Sequence, residues 1–345
     1  MAGDVASASS KGEAELKQAG REVVAAEAAG APVQVSVIIP NWNGARHLPT
    51  CLDALGPQAG PGVEILVVDN GSQDESAAIL ARYPAVRVLA LPRNVGFARG
   101  VNAGIRAAEG SILVLLNNDT EVAAGWLTAL TAPFESEPDL GMTTSKLLLF
   151  DDRDRLHTTG DRVHANGLAS NRGFGEHDRG QFDEAFDVFG ANAAAGAYRR
   201  AMLDEIGLFE AAFESYFEDV DLAWRARLAG WGCRFVPEAV VFHHVSATGG
   251  GPYASYRVAR NRLWTIVRNM PAGLLRRHGA AIVAAQARIA LDALRHVRGA
   301  AARATLRGQI VGATTWPRWL AARRRIQSAR RIDDAQLAGL LEADR

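Results

Sequence analysis

Cysteine is nearly absent from this 345-residue chain: Cys51 and Cys233 are the only two, and neither has a partner at metal-ligand spacing. That excludes a disulfide framework and a cysteine-held metal, and it fits two reduced thiols in a cytosolic protein. Long apolar runs are missing as well. No uncharged stretch reaches the roughly 18 residues that a membrane-spanning helix needs. Residues 1–32 are rich in Ala, Gly, Ser and charge, without the compact apolar segment and small-residue cleavage site of a signal peptide. They are expected to be mobile. Gly-X-Gly-X-X-Gly does not follow the first strand, which argues against a dinucleotide dehydrogenase. No internal repeat occurs at solenoid periods.

What is present is an apolar fraction of 48%, ample for a large core, and a zero net charge that is unevenly spread. From Gly251 to Arg345 there are 18 Arg, no Lys and five acidic residues, a net +13, so residues 1–250 carry −13. A basic tail behind an acidic front suggests a tail that meets something anionic.

The first half alternates strand and helix. Four apolar, β-branched runs stand out: Gln34 to Ile39, Val63 to Val68, Val86 to Ala90 and Ser111 to Leu116. Near-continuous apolar strands signal a sheet covered on both faces. Ser72-Gln-Asp-Glu75 has the form of a capping box, predicting a helix to about Tyr83 before Pro84. Phe97 to Ala108 predicts another, stopped by Gly110. Such units imply parallel pairing with right-handed crossovers. Asp151 to Asp187 is polar and Gly-rich, a mobile or acceptor-facing insertion. Asp204 to Leu228 reads as mainly helical, Cys233 to His244 as a strand with Pro237 at a turn, and the chain from Tyr253 onward as helical and basic.

Polar residues gather at the strand ends. Pro40-Asn-Trp-Asn-Gly44 follows the first strand, Asp69-Asn-Gly-Ser72 the second, Asn94-Val-Gly96 the third and Asn117-Asn-Asp119 the fourth. In a parallel sheet these ends share one edge, where ligands bind. One polar turn is ordinary loop chemistry. Four in succession, two with a carboxylate, point to a site.

These segments resemble glycosyltransferase family 2. The matching stretches are Val35 to Gly44, Ile65 to Ser72, Asn94 to Asn102 and Leu116 to Thr120. A fifth, Phe217-Glu-Asp-Val-Asp-Leu-Ala-Trp-Arg225, is similar to the family's glutamate–aspartate motif. The similarity runs from about Val33 to Pro271, and within the family it is nearest in kind to bacterial rhamnosyltransferases and cell-envelope polysaccharide transferases. It implies an α/β fold of the GT-A type: Rossmann-like, with a mostly parallel sheet, helices on both faces and a C-terminal helical extension. Residues 33–271 would form the transferase domain, split into a nucleotide-binding half (33–120) and an acceptor and catalytic half (121–271). Residues 272–345 would be the basic helical extension.

The resemblance also implies roles. Pro40, Asn41, Asn43, Asp69, Asn94, Gly96, Arg99, Asn102, Asn117 and Asn118 would bind a nucleotide-diphosphate sugar. Asp119 would hold a divalent metal, Mn²⁺ or Mg²⁺. Relatives often carry Asp-X-Asp here, and Asn117 replaces the first carboxylate, which puts metal affinity in doubt more than metal use. His243 stands five residues before Thr248, the spacing of a histidine that completes the metal shell. Asp219 would be the general base, giving single-displacement inversion. Glu218 and Asp221 would orient neighbours or pair with Arg225 and Arg227. His244 is a secondary candidate, and Gly96 and Gly196 would permit close backbone approach. Trp42 can either stack on the base or pack.

The implied partners are a sugar donor and a glycan or lipid-linked glycan acceptor, with no nucleic acid. The expected location is the cytoplasm or the inner face of the membrane. Trp316-Pro-Arg-Trp319 with Arg323-Arg-Arg325 mixes aromatic and basic residues as interfacial segments do, and packing on the catalytic domain or a second subunit is the alternative. Two other functions compete. A sugar-nucleotide pyrophosphorylase would want a Gly-rich, basic loop after the first strand, where only Gly44 and Arg46 occur. A non-enzymatic nucleotide-sugar binding module is supported by Asn117 alone.

Overall fold

The computed structural model describes residues 34–184, 186–245 and 251–342. Residues 1–32 and Thr248, and the expectations attached to them, lie outside the described residues.

The strands are β1 (Val35–Asn41), β2 (Val63–Asp69), β3 (Val86–Ala90), β4 (Ile112–Leu116), β5 (Thr120–Val122), β6 (Leu140–Leu149), β7 (Leu156–Thr158), β8 (Asp161–Val163), β9 (Ala169–Asn171), β10 (Ala195–Arg199) and β11 (Gly232–His243). The helices are α1 (Leu48–Leu55), α2 (Ser76–Leu80), α3 (Phe97–Ala107), α4 (Trp126–Thr131), α5 (Pro133–Ser136), α6 (Arg200–Ile206), α7 (Glu218–Leu228), α8 (Gly251–Asn269), α9 (Ala272–Arg295), α10 (Ala300–Thr314), α11 (Leu320–Ser328) and α12 (Asp334–Gly339).

The main sheet runs β3-β2-β1-β4-β10-β6-β11-β5, with β7 added to β6. β3, β2, β1 and β4 are mutually parallel. β10 runs antiparallel to both β4 and β6, and β11 is parallel to β6. Six strands therefore point the same way, the four apolar runs among them, while β10, β5 and β7 run opposite. β10 begins at the edge where those six end, so the loop that feeds it joins the same crevice.

Alternation along the strands fills two layers. Ile38, Leu66, Leu113 and Leu115 pack toward α3 and α7, and Val37, Ile39, Val67, Val114 and Leu116 pack toward α1 and α4. Both faces are buried, which is why the strand sequences lack a polar face. Pro237 sits in the irregularity between Val236 and Val240 of β11, where the ladder skips and no N–H is needed.

Three local expectations change. Ser72 does not cap a helix. Its Oγ accepts from the N–H of Asn43 at 2.8 Å and donates to Asp69, and α2 begins only at Ser76, whose N–H is taken by Asp74 at 3.0 Å. Asp204 to Leu228 is not continuous helix. α6 stops at Ile206, Gly207 turns with φ 82°, and α7 starts afresh at Glu218. Asp151 to Asp187 is built rather than loose: it carries β7 and the β8–β9 hairpin. Glu342, near the end of the described chain, straps that hairpin by donating its N–H to Val163 and accepting from Ala165.

The C-terminal helices pack on α8. Trp319 is buried against Phe213 and Trp264, and Arg323 donates to the carbonyls of Val267 and Met270 at 2.7 Å each. The aromatic and basic segment 316–325 is thus packed on the helix that follows the sheet, which is the second of its two sequence readings. Among the described residues no helix is long and apolar enough to cross a membrane.

Candidate active site

The carboxyl ends of the strands open into a cleft of about 1140 Å³. Its first wall is a ladder of asparagines. Asn118 donates to Asn41 Oδ1 at 2.6 Å, and Asn41 donates onward to Asp69 at 3.1 Å. Asn70 donates to Asn94 at 3.2 Å and accepts from the N–H of Val95 at 2.9 Å. Four strand ends are thereby tied side to side. Gly44 makes room: a Cβ there would lie 2.0 Å from Asn118 Nδ2 and 2.2 Å from Asn41 Oδ1. Trp42 stands on the rim, 44% exposed, so of its two sequence readings it is free to stack rather than packed away.

The second wall carries Asp119 and two histidines. β5 pairs with β11 so that Thr120 faces His243, which brings the preceding residue, Asp119, beside that imidazole. His243 Nε2 lies 3.2 Å from Asp119 Oδ1, and both residues are buried. β7 adds His157, whose Nδ1 is 3.1 Å from His243 Nδ1. Burial, with His243 close by, pushes His157 down to about 3, so its ring is neutral. Asn171 Nδ2 lies 3.3 Å from His157 Nε2, so a neutral His157 accepts there and carries its proton on Nδ1, toward His243. The His243 proton then sits on Nε2, facing Asp119. A cation seated between Asp119 and His243 would displace that proton. Among the described residues no group of three or more His, Cys, Asp or Glu could hold a metal ion, so these two donors would need the ligand's own oxygens to complete a shell.

The third wall is acidic. Phe217, at φ 70°, leads into α7, and Glu214 and Tyr216 are also left-handed at φ 66°. Strained non-glycine backbone is held where its surroundings over-determine it. Here the clamp is Asn261 of α8, whose Nδ2 lies within reach of the carbonyls of Phe213, Ser215 and Tyr216, at 3.0, 3.1 and 2.7 Å. The loop delivers Glu218 and Asp219 into the cleft, opposite Asp161 of β8. Burial raises Asp219 above the usual carboxylate range, less than it would alone, because the N–H groups of Val220 (2.8 Å) and Ala193 (3.5 Å) favour the anion. Burial and then the Asp219 charge push Glu218 and Asp161 well above that range, and each keeps one oxygen without a partner. Of the three acids, Asp219 is the one whose anion its surroundings favour most.

The remaining sequence candidates divide cleanly. Pro40, Asn41, Asn94, Gly96, Asn117 and Asn118 line the cleft. Asp69 sits just behind it, held by Asn41 and Ser72. Asn43 accepts the N–H of Gln73 at 2.8 Å and is outside the lining. Arg99 is exposed on α3, away from the lining. Asn102, three residues on, is buried and exchanges hydrogen bonds with the backbone of Phe209 at 2.8 and 3.1 Å, so it locks α3 to the sheet's far loop instead of meeting a ligand. His244 points opposite to His243, as successive strand residues do, and stacks on Phe150 at 3.6 Å. Asp221 is fully buried and ion-paired with Arg225 (2.9 Å) and Arg268 (3.1 Å). Burial pushes its carboxyl up, but the two guanidinium groups outweigh that and hold it below the usual range. Arg227 pairs with Asp187 rather than with Glu218. Gly96, at φ 89°, supplies a turn before α3 and not a close approach, whereas a Cβ on Gly196 would meet the Asn192 carbonyl at 2.9 Å. Sequence reading missed Asn70, His157, Asp161 and Asn192.

The site is thus a polar crevice at the carboxyl edge of a mostly parallel sheet, with Asp119 beside His243 on one wall and Asp219 on another. Residues 36–207 match the family model described as glycosyl transferase family 2, and the chain belongs to that family. It is 26% identical over 255 residues to an N-acetylglucosaminyl-diphospho-decaprenol L-rhamnosyltransferase of Mycobacterium tuberculosis, covering 66% of this chain and 81% of that protein. It is 29% identical to an N-acetylglucosaminyltransferase of Sinorhizobium fredii, covering 61% of this chain and 52% of that one. The chain spans 27%, 41% and 33% of the length of the first three curated relatives it matches. A mannosyltransferase of Pyrobaculum calidifontis, solved with GDP-mannose and Mn²⁺, shares the fold with a TM-score of 0.51 at 19% identity, covering 94% of this chain and 93% of that one.

Proposed function

We propose that this chain transfers a sugar from a nucleoside diphosphate to a hydroxyl of a glycan or lipid-linked glycan, inverting the anomeric centre, in cell-envelope or surface polysaccharide synthesis. One observation carries the reading: Asp119 and His243 face each other at 3.2 Å on one wall of the cleft that Asp219 enters from another. The asparagine ladder and Trp42 offer amides and a ring face to a nucleotide. Asp219 takes the proton of the acceptor hydroxyl as its oxygen bonds the anomeric carbon, and the bond to the diphosphate breaks with its electrons leaving on that group. Asp119 and His243 would hold a divalent cation, Mn²⁺ or Mg²⁺, which would supply Lewis-acid stabilisation of the departing charge. Glu218 and Asp161, whose carboxyls burial holds well above the usual range, flank the base in the same cleft.

Rhamnosyl donors are the first to try, since a relative covered over most of its length is named for rhamnosyl transfer. The test is a thermal-shift screen of UDP-, dTDP- and GDP-sugars with Mn²⁺, Mg²⁺ or chelator. At least one donor should raise Tm with metal and not with chelator, and Asp119→Asn should remove the shift. A donor shift that ignores both chelator and Asp119→Asn contradicts the metal assignment.

A further inference from the structure

α9 buries Leu274, Ile282, Ala285 and Ala293 against the rest of the protein. Its opposite side is also apolar. Val283, Leu291 and Leu294 are 68%, 55% and 53% exposed, and Ala287 between them is exposed too. At 3.6 residues per turn these four fall within an arc of about 80°. The stripe is about 17 Å long from Val283 to Leu294 at the helical rise. Val297, in the turn that follows, and Ile310 on α10 add 43% and 64% exposed side chains. Arg277, Arg288 and Arg295 fall in a single row along one edge of the stripe, at the same helical spacing. None of the three is in an ion pair among the described residues. From residue 272 to 332 the chain has thirteen Arg and one acidic residue, Asp292.

We propose that the outer face of α9 docks on an anionic lipid surface. An exposed apolar stripe edged by unpaired arginines matches the two layers of such a surface. The acyl boundary takes Val283, Leu291 and Leu294, and headgroup phosphates take the guanidinium row. A second copy of this chain would set one arginine row near another, with Asp292 as the single acid available. A nucleic acid would pair the arginines and leave the stripe in water. The face also lies on a helix in contact with the cleft's hairpin: Ile282 packs near Gly167, in the turn joining β8 to β9, and those strands carry Asp161, Ser170 and Asn171 of the cleft. The proposal does not depend on sugar transfer and fails or stands separately from it.

The test is co-sedimentation of the full chain with vesicles of phosphatidylcholine alone or mixed equally with phosphatidylglycerol. Wild type should pellet with the mixed vesicles and stay in solution with phosphatidylcholine. The double variant Leu291→Glu/Leu294→Glu, exposed at both positions, should keep the wild-type melting curve and lose binding by about tenfold or more. Wild type remaining in solution with the mixed vesicles overturns the proposal. So does equal pelleting of variant and wild type. Light scattering on the same samples supplies the third contrary result: a wild-type dimer, abolished in the variant, with no vesicle binding.

Discussion

At Asp219 the N–H groups of Val220 and Ala193 offset part of what burial does to its carboxyl. Asp161 and Glu218 are pushed up by burial and further by the Asp219 charge. The sign for stability follows from linkage. A carboxyl whose folded pKa lies above its unfolded one contributes stability that is complete below the ordinary Asp value of about 3.9 and is lost as pH rises through the folded value. Asp161→Asn should therefore raise Tm more near pH 8 than near pH 4, where the unfolded acid is only about half ionised. Thermal melts across that range are the measurement, and a gain independent of pH contradicts the buried-acid reading. Asp119 and Asp219 were legible because they end strand and loop segments of recognisable spacing. Asp161 was not: Gly160-Asp-Arg162 reads as a surface turn, and only the pairing of β8 with the cleft loop turns it inward.

At the scale of elements, α8 governs the catalytic loop. Its buried Asn261 spans three carbonyls of a segment with three left-handed non-glycine residues. Its Arg268 and Asn269 reach Asp221 in the first turn of α7, at 3.1 and 2.8 Å. Asn261→Ala leaves buried acceptors unpaired and should destabilise by roughly 2–4 kcal/mol, with a fall in kcat as Asp219 loses its placement. Denaturant unfolding alongside turnover checks this, and unchanged values of both contradict the clamp. β1 to β4 and β11 were readable, since apolar β-branched runs bounded by turn residues leave few alternatives, whereas β5 to β10 were not. The false capping box at Ser72 shows the limit. Its hydroxyl had a better-placed partner in Asp69, across a contact that local spacing does not reveal.

Across the whole molecule, strand order does what no segment does alone. Inserting β10 antiparallel between β4 and β6 carries Asn192 and Ala193 to the carboxyl edge and sets Asp219 in the same cleft as Asp119. The Rossmann-like half was visible in the alternation of runs, whereas the β6–β11 half rests on pairings between segments some 90 residues apart, Leu140 with Gly232 for example. The uneven charge was visible too, though not its arrangement. The tail's Trp319 and Arg323 are used internally, while Arg277, Arg288 and Arg295 on α9 are in no ion pair among the described residues. The account as a whole depends on one carboxylate doing proton transfer in a cleft whose donor binding is the work of other residues. Turnover and donor-induced Tm shift, measured together on Asp219→Asn with Mn²⁺ and whichever nucleotide sugar the wild type uses, test that division directly. The donor shift should survive while turnover falls by about 10²–10⁴-fold; near-native turnover with normal donor binding would contradict it.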